Sequence, residues 1–360
     1  MEMIDEQIKE ALTWLRFALI HDKDMPHVSD WNALFDFAEK QKIVGVCDPT
    51  SYSVTIERNI LFKWVGRIQL IRNRSRIMNQ RVVELVQILK DVGFKCCVLK
   101  GQGNAEMYYE PMLRTSGDID VWIDAEEQEI FRYVKAKFPH INQTFKHIKF
   151  PIFKDVPVDV HQTPLKLYHP IHNRLLQEWI NAQKKEQMKH SIQLTGVEMM
   201  VCVPTVQFNA VYQLGHILIH LLDEGVGLRH LVDYFYVLKN LEDVSETEKD
   251  VIRKTWKELG MLKLAKAIMW IEHDVLGLPD NYVLVTPNKR KGEFLLEDIL
   301  EGGNFGKSSK RQQYKKKNGY IIGGVVMAWH VCKLAWLFPG EAVFKLIGKI
   351  KTFFNDLFKR

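Results

Sequence analysis

Two short segments with alternating apolar and polar residues limit the possible folds most strongly. Their sequences are GDIDVWI over residues 117–123 and VDVH over residues 158–161. A period of two is typical of a strand with one buried face, so the aliphatic side chains should turn inward and the polar ones outward. If the two strands are neighbours in one sheet, Asp118, Asp120 and Asp159 converge on its polar face. Three carboxylates at short range repel one another, and hard divalent ions such as Mg²⁺ or Mn²⁺ are their usual counter-ions.

Helical patterns surround these strands. Apolar residues recur at helical spacing before Gly93 and again from Pro164 onward. The pattern predicts an α+β fold in which a module with the order strand, helix, strand, helix and hairpin is flanked by N-terminal and C-terminal helical regions. The expected central elements are a buried strand, two helices and a β-hairpin, at 95–99, 104–109, 125–138 and 147–161. The expected divisions are an N-terminal helical region, a catalytic core, a helical domain, and a Gly/basic loop with C-terminal helices, at 1–92, 93–163, 164–300 and 301–360.

The bulk composition is that of an ordinary soluble globular protein. The 360 residues are 46% hydrophobic and 26% charged, and the net charge of +6 favours anionic partners without singling out nucleic acid. The five cysteines are scattered and form no CxxC pair, which favours reduced thiols in a reducing compartment. The N-terminal sequence MEMIDEQIKEALTWLRF carries acids and lacks the apolar run of a secretory signal. A cytoplasmic protein is therefore expected.

The carboxylates predict metal-dependent phosphoryl or nucleotidyl transfer. A spacing of two puts Asp118 and Asp120 on one strand face, at the separation needed to bridge cations. Asp159 on a second strand would complete a two-metal site. One ion would lower the pKa of an attacking hydroxyl, and the other would hold the triphosphate of a nucleotide. Asp159 is the expected general base, because it would ligate the ion that binds the nucleophile.

The sequence KGQG at residues 100–103 follows the expected buried strand and opens a helix. Glycines in such a turn allow close backbone approach, and amides at a helix start can hold phosphate. A strand-to-helix turn also uses glycine for purely steric reasons. The turn lies one strand before the paired aspartates, where the phosphates of a nucleotide would need a cradle. We therefore assign Lys100, Gly101 and Gln102 to nucleotide binding.

Two polar residues near the aspartates are further candidates for nucleotide contacts. Arg114 either neutralises phosphate charge or pairs with Asp118 or Glu110. His161 shares the outward face of Asp159, so it touches the nucleotide, a metal-bound water or nothing catalytic. The sequence alone leaves these alternatives open.

The helical region after Pro164 contains three more residues to consider. Arg229 follows the helix break GVG, and it either contacts a base or substrate or forms an internal ion pair with Asp233. His216 and His220 have the spacing of zinc-protease ligands, but the residues between them lack the glutamate that such hydrolysis requires. We interpret these two as core or helix-packing histidines.

The C-terminal part combines a basic loop with an apolar segment. Residues 307–317 could bind nucleic acid, but their single tyrosine makes a poor stacking platform, so a solvated loop is preferred. Residues 321–338 are apolar but are interrupted by His330 and Lys333, and a transmembrane helix needs about 20 clean apolar residues. We expect a buried or partner-facing helix. A membrane-surface helix is the alternative that the basic tail supports.

These motifs resemble the uncharacterised nucleotidyltransferase family of the polymerase-β-like superfamily, over most of the chain. The resemblance rests on VLKG at 98–101, Tyr109, Arg114, GDID at 117–120, VDVH at 158–161, GLR at 227–229 and Asp233, together with Asp30-Trp31, Ala38 and GNFG at 303–306. It implies a small mixed sheet with Asp118, Asp120 and Asp159 as metal ligands. Lys100 and Gly101 would occupy the place of the superfamily's Gly-Ser turn, with Gln102 in place of the serine.

The resemblance implies a Mg²⁺-dependent nucleotidyltransferase. Such an enzyme transfers a nucleoside monophosphate from an NTP such as ATP to an acceptor, here a small molecule, a sugar or a protein, and releases pyrophosphate. Catalysis would rest on metal positioning and charge stabilisation. The alternative is a catalytically degenerate nucleotide-binding or protein-interaction module of the same fold. A nucleic-acid end modifier is a third hypothesis, which the basic loop motivates.

Overall fold

The computed structural model describes residues 5–141, 147–304 and 325–357, and the N-terminal region is helical as expected. Asp5 and Asp30 cap the first two helices, since each side chain accepts a hydrogen bond from a backbone amide of the first turn. Local capping chemistry therefore sets where these helices begin. The three N-terminal helices are α1 (Glu6–Ile20), α2 (Trp31–Gln41) and α3 (Arg58–Asp91).

A four-stranded mixed sheet follows α3. Its strands are β1 (Cys96–Leu99), β2 (Ile119–Ile123), β3 (Ile148–Lys149) and β4 (Val158–His161), in the spatial order β1-β2-β4-β3. Strands β2 and β4 are parallel, whereas the outer strands pair antiparallel with their neighbours. The structure confirms the small mixed sheet and the hairpin at its edge. It also confirms that the two alternating segments are neighbours, which is the condition for their carboxylates to share a face.

Two expectations about connecting elements are wrong. The short helix after β1 is α4 (Gly101–Ala105), so it begins at the glycine turn and does not occupy 104–109. The chain after Pro164 is not wholly helical, because β5 (Ser191–Gln193) and β6 (Met200–Cys202) form an antiparallel hairpin. Three-residue strands are too short for a period of two to be recognisable in a sequence. The helix after β2, α5 (Glu127–Lys137), lies where the sequence predicts it.

Apart from the hairpin of β5 and β6, the elements described after Pro164 are helices. The basic run at 307–317, which the sequence suggests is a loop, lies outside the described residues. No helix in the described ranges is long and apolar enough to cross a membrane. The helices are α6 (Pro170–Gln187), α7 (Val206–Asp223), α8 (Leu228–Lys239), α9 (Glu246–Glu258), α10 (Leu262–Trp270), α11 (Lys289–Gly302), α12 (325–334) and α13 (Pro339–Leu357).

Helix α3 joins two hydrophobic cores. Its first half buries Trp64 and Ile68 among the N-terminal and C-terminal helices. Its second half buries Met78, Val82 and Leu85 against the sheet. Spacings of three and four residues keep each set on one face of the helix. Because one continuous helix enters both cores, it holds the sheet in a fixed position against the helical region.

Glu272 is an isolated acid in the helical core. It lies in a short π-helical turn (Ile271–Val275) and is fully buried. Neither of its carboxylate oxygens has a hydrogen-bond partner in the described part of the chain. Burial raises the pKa of this carboxyl well above its usual range. Glu272 is therefore a source of instability that grows as the solution becomes less acidic.

We expect Glu272→Met to raise the free energy of unfolding at neutral pH by about 1–3 kcal/mol, since it removes two unsatisfied buried oxygens. The folded protein holds this proton more tightly than the unfolded chain. Wild-type stability should therefore fall as pH rises from the ordinary carboxyl range toward the raised folded pKa, and the advantage of the variant should grow over that window.

Urea denaturation between about pH 4.5 and about pH 8 measures this effect. Glu272→Gln is the matched control, because it removes the titration and keeps a polar group of the same size. An advantage of the Met variant that shrinks as pH rises would contradict the prediction.

Candidate active site

Three carboxylates meet at one face of the sheet. Asp120 on β2 lies directly opposite Asp159 on the parallel strand β4, and Asp118 precedes Asp120 by two residues. All three line one cavity of about 340 Å³, whose other wall comes from α7 and α8. This volume is at the lower end of the range for small-molecule sites. The convergence predicted from the two alternating segments is present.

Asp120 is the centre of a hydrogen-bonded group. Its Oδ2 lies 3.0 Å from the Lys100 ammonium, and its Oδ1 accepts a hydrogen bond of 2.7 Å from Nε2 of His161. Burial by itself would raise the pKa of Asp120, but Lys100 and His161 outweigh it and hold that pKa well below its usual range. Burial would lower the pKa of Lys100, but the charge of Asp120 raises it. Both groups are therefore charged at neutral pH.

Asp118 and Asp159 are less well compensated. Burial and then the charge of Asp120 raise the pKa of both carboxyls, and that of Asp159 reaches about 6. Lys100 and Arg229 offset this only in part at Asp118. A divalent cation relieves a surplus of buried carboxylate charge. Carboxylate oxygens are the type of donor that hard cations such as Mg²⁺ and Mn²⁺ prefer.

The carboxylates are not grouped as ligands in this conformation. Across residues 5–141, 147–304 and 325–357, no three His, Cys, Asp or Glu side chains are arranged so that they could hold a metal ion. Lys100 and His161 occupy both oxygens of Asp120. A cation that binds at Asp120 must therefore compete with the Lys100 ammonium, and the assignment of the three aspartates as ligands stays a prediction.

A strained backbone places the Lys100 side chain. Its φ of 48° and ψ of −133° lie in a region that residues other than glycine rarely adopt, and Gly101 follows with a φ of 40°. These two residues turn the chain sharply from β1 into α4. The turn brings the Lys100 ammonium to Asp120 and to Nε2 of His216, which accepts a hydrogen bond of 2.8 Å. Such strain clusters at functional sites.

Gln102 turns its side chain away from the cavity. The side chain is buried, where its amide donates to Asn79 of α3 and its carbonyl accepts from the hydroxyl of Ser116. Gln102 therefore ties α3 to the segment that leads into β2. Only the backbone of this residue remains for a nucleotide contact, and its assignment to nucleotide binding stays a prediction.

Arg114 is paired with Asp233, a partner that the sequence does not suggest for it. Its Nε and Nη2 donate to the two oxygens of Asp233 at 2.7 and 2.8 Å, and the Tyr108 hydroxyl donates to the same carboxylate at 2.5 Å. Burial would raise the pKa of Asp233, but Arg114 outweighs it and lowers that pKa. The Arg114 guanidinium also borders the cavity, so its phosphate role stays a prediction.

Arg229 lies on the cavity wall beside the carboxylates. Its Nη1 donates to the carbonyl of Thr115 at 3.2 Å, and its charge offsets part of the rise in the pKa of Asp118. Burial and the neighbouring Arg114 lower the pKa of Arg229 itself. A buried cation beside another cation is stabilised by an anionic ligand. The charges of Asp233 and Asp118 act in the opposite direction on the pKa of Arg229, so the choice between a substrate contact and the internal pair with Asp233 stays a prediction.

His216 and His220 lie outside the hydrophobic core, but their rings lie 6.2 and 5.6 Å from the ring of His230 on α8, which agrees with the helix-packing interpretation. Both are half-buried residues of α7 that line the cavity, with their Nε2 atoms 2.9 Å apart. A spacing of four residues indicates that the two histidines share one helix face. It does not indicate that this face meets Lys100, which lies more than a hundred residues away in the chain. His147, whose Nε2 lies 3.4 Å from Asp159, is another cavity residue that no sequence pattern marked.

Comparisons with known proteins place the chain in a family. The family described as "Uncharacterised nucleotidyltransferase" matches residues 27–277, a range that contains all three carboxylates. No curated protein is similar enough to count as a relative. Among solved structures, the crystal structure of an antigenic nucleotidyltransferase-like protein from Paracoccidioides brasiliensis is similar at 10% identity and a TM-score of 0.29, over 52% of this chain and 89% of that chain. On the family match, which covers more than half of its length, the chain belongs to the uncharacterised nucleotidyltransferase family.

Proposed function

We propose that this chain transfers a nucleoside monophosphate from an NTP to a hydroxyl or phosphate of an acceptor and releases pyrophosphate. The observation that carries the proposal is the pairing of Asp120 with Asp159, beside Asp118, on the wall of a cavity that also contains Lys100 and Arg229. A bound triphosphate needs carboxylate-held cations and basic side chains, and this cavity offers both. Membership of a nucleotidyltransferase family supports the same reaction class.

Asp118, Asp120 and Asp159 are the residues that would hold Mg²⁺ or Mn²⁺ in a two-metal arrangement. Divalent cations supply charge neutralisation of the triphosphate and lower the pKa of a bound hydroxyl. A cation held by Asp120 would compete with the Lys100 ammonium, which lies 3.0 Å from that carboxylate. An ammonium released in this way would lie next to the Gly101 turn, where it could meet the phosphates of the nucleotide.

Asp159 is the proposed general base. In the cation-free site, burial and the charges of Asp120 and Asp118 raise its pKa to about 6, which makes it more basic there than an ordinary aspartate. It accepts the proton of the acceptor hydroxyl while that oxygen bonds to the α-phosphorus and the bond to pyrophosphate breaks. His147, at 3.4 Å, is in position to orient this carboxylate.

The remaining polar residues are proposed to bind the triphosphate. Arg229 and His161 border the cavity and face the carboxylates, so they can meet phosphate oxygens directly. Arg114 contributes positive charge from its buried pair with Asp233. Bidentate arginine contacts are well suited to phosphate groups.

A nucleotide-binding module without transfer activity is the second candidate. It is favoured by the engagement of both Asp120 oxygens, one by Lys100 and the other by His161. In such a module the basic residues would hold an NTP, and the carboxylates would not assemble a cation site. The two candidates differ in whether pyrophosphate is released.

Calorimetric titration with each NTP in the presence of Mg²⁺, with pyrophosphate release followed in parallel, tests the proposal. We expect Mg²⁺-dependent binding, and we expect Asp118→Asn to weaken it by about tenfold because one oxygen donor for the cation loses its charge. Asp124→Asn is the matched control, since it makes the same change at the other end of β2, at an exposed residue.

The outcomes separate the candidates. Slow pyrophosphate release that Asp118→Asn reduces supports the transferase. Binding without release, in the presence of sugars, small hydroxyl compounds and candidate proteins, supports the binding module. A wild-type chain that binds no NTP would contradict both.

A further inference from the structure

Helices α12 and α13 each expose an apolar stripe, Val325 with Trp329 and Val343 with Ile347, and we call the two stripes together the outer face. The first two are 65% and 64% exposed, and the last two are each 51% exposed. Within each helix the two residues lie four positions apart, so they form one stripe. The opposite face of each helix is buried in the helical core. Apolar side chains of this size exposed on neighbouring helices indicate an interaction surface.

The charge of the chain is concentrated in the same C-terminal part. Residues 305–360 contain twelve Lys and Arg against two Asp and Glu, a net charge of +10, whereas the whole chain carries +6. The preceding 304 residues therefore have a net charge of −4. One of the two acids, Glu341, is buried and accepts hydrogen bonds from the backbone amides of Tyr168 and His169. The outer face therefore belongs to a segment whose sequence is strongly cationic; its described cationic side chains are Lys333, 3.9 Å from Asp298, Lys345, which is buried and paired with Asp223, and the exposed Lys349.

We propose that the outer face docks on the surface of an anionic phospholipid bilayer, independently of the proposed transfer reaction. Helices that lie in the membrane interface combine an apolar stripe with lysine and arginine, and tryptophan is enriched at that depth. Clustered cations add electrostatic attraction to anionic headgroups. No helix among the described residues is long and apolar enough to span a membrane, and the proposal is for docking at the surface.

Charge and side-chain chemistry disfavour the other occupants. A second copy would bring two segments of net charge +10 together, which like-charge repulsion opposes. Nucleic acid would use the cations, but it offers no partner for exposed aliphatic side chains such as Val343 and Ile347. An anionic bilayer satisfies both the apolar and the cationic groups.

The docking surface is joined firmly to the body of the protein. His330 of α12 lies 3.1 Å from the carboxylate of Asp298, and both residues are buried. Lys345 of α13 pairs with Asp223 and donates to the Tyr168 hydroxyl at 2.6 Å. Tyr168 also lines the cavity that contains the three aspartates. Docking through α13 would therefore hold a wall of that cavity close to the lipid surface.

Sedimentation of the full chain with vesicles tests the proposal without any nucleotide. We expect binding to phosphatidylcholine vesicles that contain phosphatidylglycerol to be about tenfold or more tighter than binding to pure phosphatidylcholine. Raising the salt from about 0.1 M to about 1 M should weaken it. Trp329→Ser with Ile347→Ser should weaken binding to anionic vesicles by about tenfold or more, since two anchors are lost. Phe62→Ser with Leu70→Ser is the matched control, because these α3 residues are 61% and 60% exposed.

Circular dichroism and thermal unfolding establish that both double variants are folded. A wild-type chain that does not sediment with anionic vesicles would overturn the proposal, as would an equal loss in both variant pairs. A dimer in solution that only the Trp329 and Ile347 changes dissociate would identify a second copy as the occupant. Binding of a single-stranded oligonucleotide without vesicle binding would assign the cationic segment to nucleic acid. Either of these results would also overturn the proposal.

Discussion

Replacing Lys100 with Met should abolish most transfer activity while it tightens the binding of Mg²⁺ alone. In the structure the Lys100 ammonium lies 3.0 Å from Asp120 and neutralises part of the carboxylate cluster. Without it a cation meets no competitor and a more negative site, so its affinity should rise by about tenfold. Loss of a preorganised positive charge at the phosphates should lower transfer by about 10²- to 10³-fold.

Cation titration without nucleotide and pyrophosphate release with NTP measure the two effects separately. Lys95→Met is the matched control, because it removes an exposed lysine that immediately precedes β1, whereas Lys100 follows it. Tighter cation binding together with slower transfer is the result that distinguishes the expected role of Lys100 from a structural role. A variant that loses both cation binding and transfer would indicate a collapsed site.

The carboxylate cluster was predictable because its information is local. Asp118, Asp120 and Asp159 lie in segments whose alternation of apolar and polar residues assigns each side chain to a face. The remaining condition was that the two strands are neighbours, and the register of Asp120 opposite Asp159 meets it. The prediction of the cluster needs little further information, since a period of two leaves only one choice of buried face for each strand.

The partners of the basic residues were not predictable in the same way. Asp233 binds Arg114 across 119 positions of the chain, although the local spacing suggests a pair with Arg229 on the same helix. Lys100 meets His216 across 116 positions. Helix spacing shows which residues share a face, but it does not show which element that face packs against. These contacts depend on how α7 and α8 are placed against the sheet.

The hairpin of β5 and β6 was missed for a related reason. Each strand has three residues, so neither has enough length to establish a period. Its place is fixed by burial of Leu194, Val201 and Val203 in the sheet core, which are contacts between distant segments. A long helix such as α3 can be predicted from the apolar periodicity of its own residues, whereas the position of a short strand depends on its contacts with other segments.

Asp233→Asn should lower the free energy of unfolding by about 3–5 kcal/mol, the usual cost of leaving a buried ion without its partner. Arg114 and Asp233 are 5% and 6% exposed and form two hydrogen bonds, so the guanidinium of the variant would be buried beside a neutral amide. Because Arg114 lowers the pKa of Asp233, the stabilisation is present above the ordinary carboxyl pKa. It is lost as pH falls below that value toward the folded pKa.

Urea denaturation at neutral pH, compared with the exposed control Asp243→Asn, measures the loss. A double variant, Arg114→Met with Asp233→Asn, separates the two origins of the effect. If the unpaired guanidinium is what destabilises the single variant, removing it should recover part of the stability even though more contacts are lost. A double variant less stable than Asp233→Asn would instead assign the loss to packing and to the Tyr108 hydrogen bond. Since the Arg114 segment leads into Asp118, the single variant should also weaken NTP binding, and the Asp243 control should not.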